Sequence, residues 1–272
     1  RASELDLDLS AVRGTGTQGA VTLDDVARAA AARSLHMPVG PSPGSVPAAL
    51  DRQGEIRRAI AAAMSRSKRE IPHYYLSQTI AMRTALEWLR GVNDKRPVTE
   101  RVLPAALLLK AVAVAVRDFP EMNGLFVDGV YKPSAVAHIG VAISLRKGGL
   151  IAPALHDVGG RELDTVMLEL ADLVRRCRSG SLRSSEMSDP TITVTNLGDQ
   201  GVQQVFGVIY PPQVALVGFG RIAERPWAVD GKVVAMPVVA ASLSADHRVS
   251  DGHRGALFLA RLDALLQQPG SL

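Results

Sequence analysis

The chain has 272 residues, 47% of them hydrophobic, enough for one large packed domain or a large one with a small module. Its 31 basic and 27 acidic residues leave a formal charge of +4, spread out without the dense basic cluster of a nucleic-acid surface. The single cysteine, Cys177, excludes an intrachain disulfide and a multi-cysteine metal site, which points to a reducing compartment: a bacterial cytoplasm, or a mitochondrial matrix if the source is eukaryotic.

Residues 1–32 read as helix, loop, helix: a short helical start, three glycines at 14, 16 and 19 that permit a tight loop, then Thr22 capping a helix from Leu23. Thr22 with Asp25 three residues on approximates a capping box with a shortened acid. Residues 33–54 carry four prolines and interspersed glycines without periodicity, the composition of an extended linker. From Glu55 to the C-terminus the elements lengthen. A helix through Ile56, Ile60 and Met64 leads to a strand at 73–80, then helices at 83–91 and 104–118. The apolar run Val102 to Val116 is shorter than the roughly 20 residues of a bilayer span and includes Pro104 and Lys110, so it reads as a core helix and no membrane partner is expected. Further strands are expected at 137–145, 191–195, 213–217 and 233–244, with helices at 161–178 and 252–267. Irregular interleaving of these elements predicts an α/β fold with a mixed sheet flanked by helices.

The strand ending at Ser244 runs into Ala245-Asp246-His247-Arg248-Val249-Ser250-Asp251-Gly252. A histidine at a strand-to-helix junction is held rigidly yet stays accessible, and an imidazole suits a general base at neutral pH. Asp251 can cap the helix or pair with Arg248. By itself this pattern fits a turn histidine as well as a catalytic one.

His-x-x-x-Asp-Gly at 247–252 resembles the signature of the acyltransferases that include chloramphenicol acetyltransferase and the E2 components of 2-oxo acid dehydrogenase complexes. The resemblance runs on through Ile56 to Met64, Ser67-Lys68, Ile71 to Tyr74, Lys110-Ala111, Pro120 and Asn123, Gly140 to Ala142, Gly149 to Pro153, and Thr193 to Gly198, in the family's order. It implies a CoA-dependent acyltransferase (chloramphenicol acetyltransferase-like) fold over 55–272. It also implies a dihydrolipoamide acyltransferase, acetyl- or branched-chain-transferring, that moves an acyl group between dihydrolipoamide and coenzyme A. In such enzymes the signature histidine, here His247, takes the thiol proton. A Ser or Thr in the strand before Leu-Gly, here Thr195, stabilises the tetrahedral oxyanion. Asp251 stands near the reacting centre. Arg146, Lys147 and Gly149 are the candidates for holding CoA, and the region of Ser77 and Met82 for the lipoyl side. The other histidines have structural readings, His73 in the family's Pro-His pair among them. No His or Cys spacing implies a metal.

Residues 1–32 resemble the peripheral subunit-binding domain of E2 chains, which implies docking of E1 or E3, with Arg13 a candidate contact and Ala20 standing where a basic residue is common. The module reads as truncated at Arg1, and the lipoyl group is expected on a domain not present in these residues. The tail from Gln267 is shorter than the family's, and since such tails help trimers associate into larger cores, a homotrimer is the expectation, with the larger core left as an open alternative. The resemblance also implies active sites between subunits, His247 from one and Thr195 from its neighbour. The competing reading is a non-catalytic core that tethers E1 or E3.

Overall fold

The computed structural model describes Val12, residues 14–16, 20–27, 48–145 and 149–272. The chain divides into two compact units, Arg1–Arg52 and Gln53–Leu272. In the first, a helical turn over 23–27 opens with the expected capping box. The Asp25 carboxylate accepts from Thr22 N at 3.0 Å, and Asp25 N lies 3.4 Å from Thr22 Oγ1. The same carboxylate also accepts from Thr15 N and Thr15 Oγ1, both at 2.8 Å, tying the glycine loop to the turn. Most of 1–32, Arg13 included, and residues 33–47 lie outside the described residues.

Helix α1 (Ala48–Glu70) starts seven residues before the expected Glu55, so the last part of the predicted linker, 48–54, is helical. Ala48, Ala49 and Leu50 are strong helix formers, and a proline just ahead of them suits a helix start better than a linker end. Then come β1 (His73–Ala81), α2 (Arg83–Asn93), α3 (Pro104–Asp118), β2 (Gly124–Val127) and β3 (Val130–Pro133). Next are β4 (Ile139–Val141), β5 (Ile143–Ser144), β6 (Leu150–Ile151), β7 (Ala154–Leu155), α4 (Leu163–Ser179), α5 (Ser184–Ser188) and β8 (Ile192–Asn196). The chain ends with β9 (Ala215–Phe219), β10 (Ala223–Val229), β11 (Lys232–Asp246) and α6 (Gly252–Leu266).

The main sheet runs β1-β11-β9-β8-β4-β7, with β10 paired to the outer half of β11. β8 is parallel to β4 and β9 and the other pairs are antiparallel, the mixed sheet expected. The predicted strand 137–145 is split: β4 belongs to the main sheet, whereas β5 turns away to pair with β6. Besides β5–β6, two more hairpins among the described residues, β2–β3 and β10–β11, had not been predicted. Each turns on an Asp-Gly pair with both residues at positive φ, Asp128-Gly129 and Asp230-Gly231, the two-residue turn that matches strand twist.

One face of the sheet carries α6, with α3 behind it and α4 against α3. α3 is buried all round from Ala106 to Ala113, which explains its near-continuous apolar sequence. The one charge in that buried stretch, Lys110, is stabilised by donating to Gly159 O at 3.0 Å and to Arg161 O, while burial holds its ammonium below the ordinary range. α6 lies so close to β1 that a Cβ on Gly255 would meet Tyr74 and Leu76 at 2.9 Å.

Directly opposed residues in neighbouring strands project to one face, so Ser77, Ser242, Gly218 and Thr195 form a row across the sheet opposite α6. An irregular segment, 202–210, crosses this shaved surface. A Cβ on Gly218 would sit 2.6 Å from Val205 O, and one on Gly220 only 1.9 Å from Gln203 O. Gly220→Ala should therefore displace the segment and destabilise the protein by roughly 1–3 kcal/mol, the range for overpacking. Urea unfolding would show it as a lower midpoint at unchanged slope.

Candidate functional site

β11 ends in Asp246, a carboxylate with no solvent exposure. A buried charge must be paired, and Asp246 is: Arg248 Nε donates to its oxygens at 2.9 and 3.1 Å, Nη2 at 2.6 Å, and the Arg248 amide at 2.9 Å. The amides of Val249 and Ser250 close the turn onto Asp246 O at 3.0 and 3.1 Å. The guanidinium lies over the Phe126 ring, 4.0 Å from its centroid. This corrects the expected alternative of an Arg248–Asp251 pair, because Asp246, two residues away and desolvated, is the carboxylate that needs the cation.

Between the two halves of this clamp stands His247, its amide donating to Pro72 O at 2.9 Å and its side chain exposed. The Tyr74 ring meets the imidazole edge-on, with centroids 5.3 Å apart, and the Tyr74 hydroxyl shares a 2.8 Å hydrogen bond with Ser250 Oγ. Burial holds that phenol above its ordinary range, so it stays neutral. The imidazole is thus fixed at its base and free at its tip, the geometry of a general base that meets its proton donor from outside.

Asp251 caps α6 through Oδ1, which accepts from Arg254 N at 2.9 Å. That amide, then the His253 amide and the nearby histidines, hold its carboxyl below the ordinary range. His73 is structural in its hydrogen bonding: Nδ1 donates to Ile71 O at 2.9 Å and Nε2 accepts from Ile209 N at 3.1 Å. Burial keeps that ring below its usual range and hence neutral. His138 and His156 face each other with centroids 5.2 Å apart, and His156 pairs with Asp189 at 3.1 Å. Among the described residues no group of three or more His, Cys, Asp and Glu is arranged to hold a metal ion, and no helix is long and apolar enough to cross a membrane.

Thr195 is half-buried on β8, and its hydroxyl has no hydrogen-bond partner among the described residues. A single chain does not bring it to His247. Thr195 is level with Gly218 on β9 and Ser242 on β11, and His247 lies five residues past Ser242, so two strand spacings and that rise separate the Cα atoms by roughly 19 Å. Of the candidates for CoA, Arg146 and Lys147 lie outside the described residues. Gly149, at φ +101°, accepts from Leu145 N at 3.0 Å and closes the β5–β6 hairpin. Sequence reasoning did not assign Asp246 or Tyr74. The signal for Asp246 was an acid two residues before an arginine at the end of an apolar strand.

Comparison with known proteins bears on this geometry. The family model described as 2-oxoacid dehydrogenases acyltransferase (catalytic domain) matches residues 51–272. The lipoamide acyltransferase component of the branched-chain alpha-keto acid dehydrogenase complex of Pseudomonas aeruginosa is 34% identical over 100% of this chain and 65% of its own length. The dihydrolipoyllysine-residue acetyltransferase component of the Zymomonas mobilis pyruvate dehydrogenase complex is 30% identical over 98% and 63%. The chain therefore spans a little under two thirds of these curated relatives. Among solved structures, a probable dihydrolipoamide acetyltransferase of Listeria monocytogenes superposes with a TM-score of 0.74 at 29% identity, covering 79% of this chain and 92% of that one. The Azotobacter vinelandii dihydrolipoamide acetyltransferase gives 0.72 at 26% identity, covering 78% and 88%. A serine, a histidine and an asparagine of that enzyme have been investigated for their role in its mechanism, the last two four positions apart. A chloramphenicol acetyltransferase, at 13% identity over 75% of this chain and 94% of that one, shares the fold with a TM-score of 0.51.

Two outcomes follow from the clamp and the cap. Asp246→Asn should cost roughly 2–4 kcal/mol in denaturant unfolding, since it leaves the Arg248 cation against a neutral, buried partner. Asp251 has a folded pKa below the ordinary 3.8, so its stabilisation is fully present above that value and is lost as pH falls through the folded pKa. The stability gap between wild type and Asp251→Ala, measured by urea unfolding, should accordingly be constant near neutrality and shrink below about pH 4.

Proposed function

The chain belongs to the 2-oxoacid dehydrogenases acyltransferase family through residues 51–272, and from that premise we propose that it transfers an acyl group between dihydrolipoamide and coenzyme A. The observation that carries this reading is the exposed imidazole of His247, its backbone locked by Pro72 and by the Asp246–Arg248 pair. A thiol with a pKa near 8.5 is mostly protonated at pH 7, so a positioned base is needed to make the nucleophile. His247 takes the proton from the CoA thiol, and the thiolate attacks the carbonyl carbon of the acyl-dihydrolipoyl thioester. The tetrahedral intermediate carries its charge on the former carbonyl oxygen, where the unpartnered Thr195 hydroxyl donates. Collapse expels the dihydrolipoyl thiolate, which takes the proton back from the imidazolium. Asp251 acts by fixing the start of α6 rather than by touching the reacting atoms.

The separation of Thr195 from His247 within one chain supports a site shared between copies, one supplying the imidazole and its neighbour the hydroxyl, within a homotrimer or a larger core built from it. Arg146, Lys147 and Gly149, which lie in sequence between β5 and β6, would hold the CoA phosphates, a role that suits cationic side chains and glycine. The acyl group would arrive on a separate lipoyl domain, and residues 1–32 would dock E1 or E3. Acetyl and branched-chain acyl groups are both candidate substrates, following the two kinds of relative.

The test is transfer from acetyl-CoA and isobutyryl-CoA to free dihydrolipoamide. His247→Ala should lower kcat by about 10²–10⁴-fold and Thr195→Ala by about 10²–10³-fold. Chains carrying one substitution each, unfolded together and refolded at equal ratio, should regain about a quarter of wild-type activity, the share of shared sites that draw both intact residues. No transfer by a folded, assembled wild type would favour the tethering-core reading instead.

A further inference from the structure

The C-terminal end of α3, the loop 134–137 between β3 and β4, and the turn at 157–159 line a cavity of about 270 Å³. Pockets for drug-sized ligands run to roughly 300–1,000 Å³, so this one suits a smaller molecule. Its walls are fixed. Asn123 Nδ2 donates to Ser134 O at 2.9 Å and to Val136 O at 3.2 Å, and Asn123 Oδ1 accepts from Thr191 Oγ1 at 2.6 Å, which ties the loop to the core. Asp157 stands at φ +48°, its amide donating to His138 Nδ1 at 3.1 Å and its Oδ1 accepting from Gly160 N at 3.2 Å. Walls already ordered in this way cost a ligand little to use.

The charges around the cavity indicate what it takes. Arg117 comes from the last turn of α3, and Gly159 leaves its guanidinium room: a Cβ there would lie 3.0 Å from Arg117 Nη2 and 3.2 Å from Nε. Among the described residues Arg117 has neither an ion pair nor a hydrogen-bonded side-chain partner, and its charge is felt nearby, where after burial it is the next cause that holds the Lys110 ammonium low. The amides of Ala135, Val136 and Ala137 also lack an acceptor among the described residues. A free guanidinium and free amides on one wall favour a carboxylate. Asp157, on the same cavity, is not paired with Arg117 and accepts only from Gly160 among the described residues, so a bare anion would meet an uncompensated negative charge. A molecule that carries an ammonium beside its carboxylate satisfies both. Val116, Pro120 and Val136 supply the apolar part of the wall. We propose that this cavity binds a small free α-amino acid with a short apolar side chain, its carboxylate on Arg117 and the open amides of 135–137, its ammonium on Asp157. Neither charged residue belongs to the acyl-transfer site, and the inference stands apart from that reading.

The experiment titrates the full chain with L-valine, with isovalerate, which lacks the amine, and with isobutylamine, which lacks the carboxylate, and reads dissociation constants by saturation-transfer difference NMR. L-Valine should bind at least about 10-fold more tightly than either control, because each control forfeits a charge-assisted contact. Arg117→Ala should weaken L-valine by about 10–100-fold. Asp157→Asn keeps an acceptor for Gly160 N and a residue type that tolerates positive φ, so it should fold as the wild type does, bind L-valine about 10-fold more weakly and bind isovalerate no less well. Far-UV circular dichroism and urea midpoints check that both variants are folded. If isovalerate binds as tightly as L-valine and Asp157→Asn alters neither, the cavity takes a plain carboxylate and the amino-acid assignment is wrong. If L-valine does not bind the wild type, or binds both folded variants as it binds the wild type, the cavity is not its site.

Discussion

The site depends on one buried charge. Asp246 ends the longest strand of the sheet with no access to water, and an unpaired carboxylate there would be prohibitive. Its partner, Arg248, is only two residues on, so forming the pair forces the chain into a tight turn. The residue caught between them has to point away from the pair. That residue is His247. The turn is then fixed from outside, by Pro72 through the backbone, by Phe126 under the guanidinium, and by Asp251 at the start of α6. The imidazole owes its accessibility and its rigidity to the same pair.

Much of this was legible in the sequence wherever burial imposes a period. β1, α3, α4 and α6 lie within a few residues of their predicted spans, because each buries a continuous face whose residues repeat with the element's own geometry. Failure came where pairing, not burial, decides the element. Among the described residues β2 and β3 pair with each other and, beyond that, through one bridge from Leu125 to Gln213, β10 pairs with β11 alone, and their burial is too shallow to leave an alternation. Their signal was the Val-Asp-Gly at 127–129 and again at 229–231, a turn code rather than a periodic one. The run 137–145 looked like one strand because its apolar residues are continuous; the change of sheet at Ala142 leaves no mark in composition.

The roles of the site residues divide in the same way. His247 was legible because a family signature frames it, and the Asp251 cap because helix N-termini have a known chemistry. The Asp246–Arg248 pair was not, since which of two nearby carboxylates takes an arginine is settled by which one is desolvated, a property of the fold. The row Ser77, Ser242, Gly218 and Thr195 also had no linear signature. Its members come from four strands and share only a register.

That register also decides how the sheet is covered on the side opposite α6. A sheet face of glycine and hydroxyl residues buries little apolar surface by itself, so the segment 202–210 that covers it is held by hydrogen bonds, close backbone contacts and the small buried cluster of Ile209 with Ile71 and Leu216. The segment's inner side is thereby held in place, while Val202, Phe206 and Tyr210 on it stay exposed.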